Sequence, residues 1–212
     1  SAKAAQILLD CILNPHIENG KFPQKYFDLR KQELIDNIKS EINDRRSFAA
    51  LRANQTVYRD EHASISVNGS IDEAESITQD ELIEIYNKML SDSYIDISLG
   101  GGRPCPEIDE MIIRAFENLK RSNNIKVDFD RPSPIKQKAA ELSEKNDVNQ
   151  CKMIMAFKTE SDDFYAQKLM CALLGGTPFS KLFANVREKL SLCYYCSSSI
   201  AECKKAMFID SG

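Results

Sequence analysis

Several groups of residues have types and spacings that could do chemistry. Arg187 and Tyr194 stand seven positions apart in VREKLSLCYYC. A guanidinium can hold a peptide carbonyl or a carboxylate, and a phenol can donate to a carbonyl oxygen as it gains charge. Tyr195 competes with Tyr194, but neighbouring strand residues face opposite sides, so only one of the two can face a cleft. The plainer reading of the spacing is a dipole-favoured Arg at a helix C-terminus and an ordinary sheet Tyr.

Metal ligation has little to draw on. The chain has two histidines, His16 and His62. Tyr58-Arg-Asp-Glu61-His62 ends in Glu-His, with a Tyr where a first His would be needed. A catalytic zinc needs about four N, O or S positions, one left open for water. Cys193-Tyr-Tyr-Cys196, with Cys203 beyond, invites a metal or redox reading, yet an extended strand would send the two thiols to opposite faces. No second Cys pair or nearby His completes a site, so these read as structural thiols. Gly100-Gly-Gly102 lacks both G-x-G-x-x-G and G-K-[ST] and reads as a strand terminus.

The elements that must position these residues follow from periodicity. Thr177-Pro178 reads as a helix start, and Phe179, Leu182, Phe183, Val186 and Leu190 recur at helical spacing. LCYYCSSSI then reads as extended, so a helix turning into a strand brings Arg187 near Tyr194. Earlier helices are expected over Ala4–Leu13, ended by Pro15, over Pro23–Asn43, and through Phe48, Leu51 and Val57. Asn68-Gly69 marks a turn, and Thr78-Gln-Asp-Glu81 is a capping box opening a helix with Leu82, Ile85, Tyr86 and Met89. Tyr94–Leu99 alternates as a half-buried strand. A helix carrying Ile108, Met111, Ile112, Ala115 and Phe116 follows it. The polar stretch from Arg121 to Asn149, with Pro132 and Pro134, reads as a linker whose part 135–144 could be helical. Lys152–Lys158 is a strand, Asp162–Leu174 a helix with an acidic first turn, and Ala206–Ile209 a strand. Helices with few, separated strands define an α+β class.

Composition sets the outer limits. The 212 residues are 42% hydrophobic and 28% charged, with a net charge of −4. That is ordinary for a globular chain and argues against nucleic-acid partners. No apolar run is long enough to cross a bilayer, so no membrane partner is expected. Seven scattered cysteines suit reduced thiols and a cytoplasmic location. Opening directly on a helix after Ser1-Ala2 and closing at a strand, the sequence reads as a fragment of a longer protein, with Ser1-Ala2 as a tag scar.

With these residues laid out, LLGGTPFSKLF (173–183) and VREKLSLCY (186–194) resemble the pitrilysin/insulinase family of zinc metallopeptidases. YFDLRKQELIDNIKSEINDRRS and YIDISLGG are similar more weakly, and the chain resembles most the zinc-free subunit of bacterial two-subunit members. The resemblance implies a clamshell of repeated α+β units, with helices packed on mostly antiparallel sheets. It implies that residues 1–130 are the back half of one unit and 131–212 the front half of the next. The family's inverted H-x-x-E-H motif belongs to a front half that this chain does not contain. By the same resemblance Arg187 and Tyr194 are the substrate-binding pair, no residue of this chain is catalytic alone, and none binds metal. Asn37 falls at the third zinc ligand, with Asp36 and Glu33 close by if the register shifts. Zinc is then expected in a partner subunit carrying H-x-x-E-H, or in a missing region, and the substrate is an extended peptide. Two alternatives stay open: a non-catalytic binding or structural subunit, and part of an active zinc peptidase whose H-x-x-E-H region lies outside this sequence.

Overall fold

Helices dominate the first part of the chain. In the computed structural model, which describes residues 2–122 and 133–212, α1 spans Ala2–Leu13, α2 Gln24–Ser40, α3 Arg45–Val57, α4 Ile71–Ser76, α5 Gln79–Asp92 and α6 Pro106–Glu117. Their starts follow local chemistry. The Asp44 carboxylate accepts the N–H groups of Arg46 and Ser47 at 3.1 Å each, capping α3. The capping box forms as expected: Thr78 Oγ1 accepts the Glu81 N–H, and the Glu81 carboxylate accepts the Thr78 N–H at 2.8 Å. Gly69 takes φ +71° at the Asn68-Gly69 turn, a backbone angle glycine adopts without strain.

The chain forms two compact units, Ser1–Ile35 with Asp72–Asp128, and Asp36–Ile71 with Phe129–Gly212. In the first, α1 packs against α6, and the Tyr86 hydroxyl of α5 donates to the Ile12 carbonyl at 2.8 Å. The Tyr86 ring meets Phe22 edge-on at 5.7 Å. Tyr94–Leu99, expected as a half-buried strand, is not one. No ladder pairs it among the described residues, and Tyr94, Ile97 and Leu99 are exposed. Alternation decides which side chains share a face, but a strand forms only where a second backbone takes its N–H and C=O groups.

The second unit holds the sheet. Strands β1 (Met153–Lys158), β2 (Cys196–Ala201) and β3 (Ala206–Ser211) are antiparallel in the order β1-β3-β2, with Asp210 opposite both Ile154 and Ser197. The central strand β3 buries Ala206, Met207 and Ile209. Helix α3 packs along β1, and its neighbour Tyr58 meets Phe208 of β3 at 6.2 Å. Helix α7 (Phe164–Cys171) packs along β2. It starts at Phe164, not Asp162, because Asp163 is the cap and accepts the Ala166 N–H at 2.9 Å. An α+β architecture results, as the patterning implied. Of the polar stretch 121–149, residues 123–132, Pro132 included, lie outside the described residues, as does Ser1. The part 135–144 is irregular, not helical.

A buried ionic cluster ties the unit together. The Glu61 carboxylate meets Lys204 Nζ at 3.2 Å and Lys158 Nζ at 3.5 Å, and accepts the Ser133 hydroxyl. Both ammonium groups also lie over the Tyr58 ring, at 5.2 and 5.7 Å. Burial pushes the Glu61 carboxyl up, but the Ser133 hydroxyl and the two lysines outweigh it and hold it below the usual carboxylate range. Burial and the nearby Glu61 charge push the Tyr58 phenol up to about 12.

Candidate substrate-binding site

The segment joining α7 to β2 departs from a plain helix. After α7 the chain widens into a π-helical turn over Ala172–Gly176. A Cβ on Gly175 would stand 2.6 Å from the Ser198 backbone nitrogen, so only glycine lets this turn lie on β2. Thr177 is then extended (φ −138°, ψ 159°), and its carbonyl accepts the Ser180 N–H at 3.1 Å. The expected helix start at Thr177-Pro178 is therefore a corner, and Phe179 is 93% exposed, apart from the half-buried Leu182, Phe183 and Val186 of the expected apolar stripe. Proline disfavours helical geometry in the residue before it, which accounts for the extended Thr177. Helical turns resume at Lys181 and widen again into a π-helix over Phe183–Lys189. π-Helical turns are rare and occur often at functional sites.

Arg187 sits in this second π-helix. Its guanidinium lies 4.7 Å from the Phe183 ring centre and 5.9 Å from that of Tyr194. Ser191, at φ +50°, closes the turn, with its N–H on the Arg187 carbonyl at 3.1 Å and the Leu192 N–H on the Val186 carbonyl at 3.0 Å. The helix-to-strand turn thus brings Arg187 and Tyr194 together.

Tyr194 and Tyr195 do not alternate as simple strand neighbours. Both backbone N–H groups donate to the Gly212 carbonyl, at 2.7 and 3.1 Å, and the Gly212 N–H returns to the Tyr195 carbonyl. Two residues opposing one make a β-bulge, a device that re-aims side chains. Tyr194 is 78% exposed, whereas Tyr195 packs inward with its hydroxyl on Asp210 Oδ1 at 3.1 Å. Arg46 covers the Tyr195 ring at 4.3 Å and its Nε donates to Asp210 Oδ2 at 2.6 Å. Burial, then the Asp210 charge, pushes the Tyr195 phenol up to about 12. Of these two tyrosines, Tyr194 therefore presents the outward phenol. Sequence reasoning missed the Arg46–Asp210–Tyr195 network, for its cation and carboxylate lie 164 residues apart and no local spacing signals them.

Cys193 and Cys196 are both free thiols, Cys193 half-buried and Cys196 buried. Burial pushes the Cys196 thiol up, which suits an inert structural thiol.

Zinc does not fit the donors near Glu61 and His62. Tyr58 is buried with a phenol too basic to ionise, and Glu61 is taken by two lysines and a serine. His16 faces solvent beside Glu18 at 3.1 Å, and Asn37 is an exposed amide. Among the described residues no three His, Cys, Asp or Glu side chains group to hold a metal, and no helix is long and apolar enough to cross a membrane.

Comparison with known proteins gives this chain its family. The sequence profile described as peptidase M16 inactive domain matches residues 76–210, more than half of the chain. The chain belongs to the peptidase M16 family. It is similar to the probable inactive metalloprotease YmfF of Bacillus subtilis (28% identity, 99% of this chain and 50% of the relative). It is also similar to an uncharacterized zinc protease of Rickettsia felis (23% identity, 92% and 46%). Among solved structures, a conserved protein from Enterococcus faecalis matches with TM-score 0.81 at 25% identity, over 100% of this chain and 50% of that one. A peptidase M16 inactive domain from Pseudomonas fluorescens shares the fold, with TM-score 0.72 at 15% identity, over 98% and 50%. The chain spans about half the length of the curated relatives it matches.

Proposed function

We propose that this chain supplies the substrate-gripping wall of an M16-type peptidase assembly and not its metal centre. The observation that carries the reading is the juxtaposition of the Arg187 guanidinium with the outward-projecting Tyr194, 5.9 Å away. Arg187 would hold a backbone carbonyl or carboxylate of an extended peptide, and the Tyr194 hydroxyl would donate to a carbonyl oxygen as it gains charge. The hydrolytic chemistry, zinc included, belongs in this reading to a homologous subunit carrying H-x-x-E-H. Residues 1–130 and 131–212 are then the back half of one family unit and the front half of the next.

The test is co-purification with such a subunit, followed by peptide cleavage. Tyr194→Phe and Arg187→Ala should each lower the rate roughly a hundredfold with the complex intact, the scale set by single oxyanion donors. Unchanged rates in an intact complex would favour a binding or structural subunit, a reading favoured by the relative named as a probable inactive metalloprotease. Zinc-dependent cleavage by this chain alone would refute both. The relatives named zinc proteases, of which this chain covers 46%, keep a third reading in view: an active zinc peptidase with H-x-x-E-H outside this sequence.

A further inference from the structure

We propose that the cleft between the start of α3 and the segment 148–152 leading into β1 binds a peptide carboxylate. This inference takes its peptide, though not its charge, from the function proposed above. The cleft has a volume of about 480 Å³, and Arg45, Arg46 and Lys152 all line it. None of the three is fully neutralised. Arg46 commits Nε to Asp210 and one terminal nitrogen to Ser197 Oγ at 3.3 Å, yet its side chain remains 55% exposed. Lys152 Nζ bonds the neutral Gln150 Oε1 at 3.2 Å and lies over the Tyr195 ring, with no ion pair to a carboxylate among the described residues. The Arg45 side chain has no hydrogen bond or ion pair among the described residues.

Competing anions are already engaged. The Asp44 carboxylate takes the N–H groups of Arg46 and Ser47 and the Ser47 hydroxyl at 2.7 Å, and Asp210 takes Arg46 and the Tyr195 hydroxyl. The helix N-terminus is thus capped, and an arriving anion would be met by side chains. Three cations against two occupied carboxylates leave an excess positive charge lining the cleft. Guanidinium forks match a carboxylate in geometry as well as in charge.

Position links the cleft to the candidate site. Arg46 and Lys152 both lie over the Tyr195 ring, at 4.3 and 5.0 Å, and Tyr195 is the residue after Tyr194. In this proposal an extended peptide that passes Tyr194 continues past the neighbouring Tyr195 backbone and delivers an acidic group to these cations. That group is either an Asp or Glu side chain or the peptide's own C-terminus.

Backbone NMR titration of this chain tests the assignment with three acetylated tripeptides. They are Ala-Ala-Glu amide, Ala-Ala-Ala free acid and Ala-Ala-Gln amide, the last carrying no carboxylate. One or both acids should give saturable shifts at 43–46 and 148–152 as well as at Arg187 and Tyr194, and the tighter acid names the carboxylate source. Affinity should fall about tenfold or more in Arg45→Ala and Lys152→Gln, one lost charge-assisted contact each. Equal shifts with the neutral peptide, none with either acid, or full affinity in both variants would overturn the assignment. Shifts at Arg187 and Tyr194 without the cleft would leave the proposed wall standing and remove this subsite; cleft shifts alone would do the reverse.

Discussion

Replacing Glu61 by Gln removes one negative charge from a cluster in which Lys158 and Lys204 have side chains only 11% and 9% exposed. Breaking a buried pair by removing one partner costs about 3–5 kcal/mol, because the remaining charge is left buried and uncompensated. Two lysines lose their shared carboxylate here, but an amide oxygen still accepts a hydrogen bond and Lys158 also points to the Pro134 carbonyl at 3.5 Å, so about 3 kcal/mol is expected. Amide exchange along β3, which pairs with the strand of Lys158 and follows the turn that holds Lys204, reads the loss in the second unit directly. Adding Lys158→Met and Lys204→Met to Glu61→Gln should restore most of it, since apolar groups of similar volume need no counter-ion. The pH dependence has a definite sign. Because the folded carboxyl is held below its unfolded range, the stabilisation is complete above the unfolded pKa of about 4.3. It is lost as pH falls through the lower folded value, so wild type and Glu61→Gln should converge in acid. A Glu61→Gln protein within about 0.5 kcal/mol of wild type at neutral pH would refute the argument that this cluster is the unit's electrostatic tie.

Three further outcomes are expected. Gly175→Ala should destabilise the second unit by about 1–3 kcal/mol in urea unfolding, since its Cβ would press on the Ser198 backbone; a neutral effect would mean the turn can lift off β2. Thr78→Ala should cost about 1 kcal/mol by deleting half of the α5 capping box, measurable as faster amide exchange in the first turn of that helix. Tyr58 and Tyr195 should be the last of the tyrosines to ionise in a tyrosinate absorbance titration. Their folded pKa values, about 12, lie above the unfolded value near 10, so their contribution to stability holds below about pH 10 and is lost as pH rises towards 12.

Local signals were read well wherever the cause was local. The capping box at Thr78, the Asn68-Gly69 turn, the apolar faces of α1, α2 and α6 and the strands at 153–158 and 206–211 depend on neighbours a few residues apart. Errors fell where a distant backbone had the deciding vote. Tyr94–Leu99 has the alternation of a strand and no partner among the described residues, and Thr177-Pro178 has the composition of a helix start at a place where the chain turns a corner. The motif LLGGTPFSKLF carried the family resemblance without disclosing why it contains Gly175, whose missing side chain is demanded by β2 23 residues later.

The candidate site divides along the same line. The sequence by itself determined that Arg187 and Tyr194 are separated by a helix end and a strand start, which is enough to bring them near each other. Tertiary structure decided which tyrosine faces outward. The Gly212 carbonyl accepts from both tyrosine N–H groups, and the resulting bulge cancels the strand alternation on which a choice between Tyr194 and Tyr195 rested. Asp210 and Arg46, remote in sequence, then hold Tyr195 inward and leave Tyr194 as the exposed phenol, because hydrogen bonds and cation–ring contacts form between whatever groups the fold places within reach.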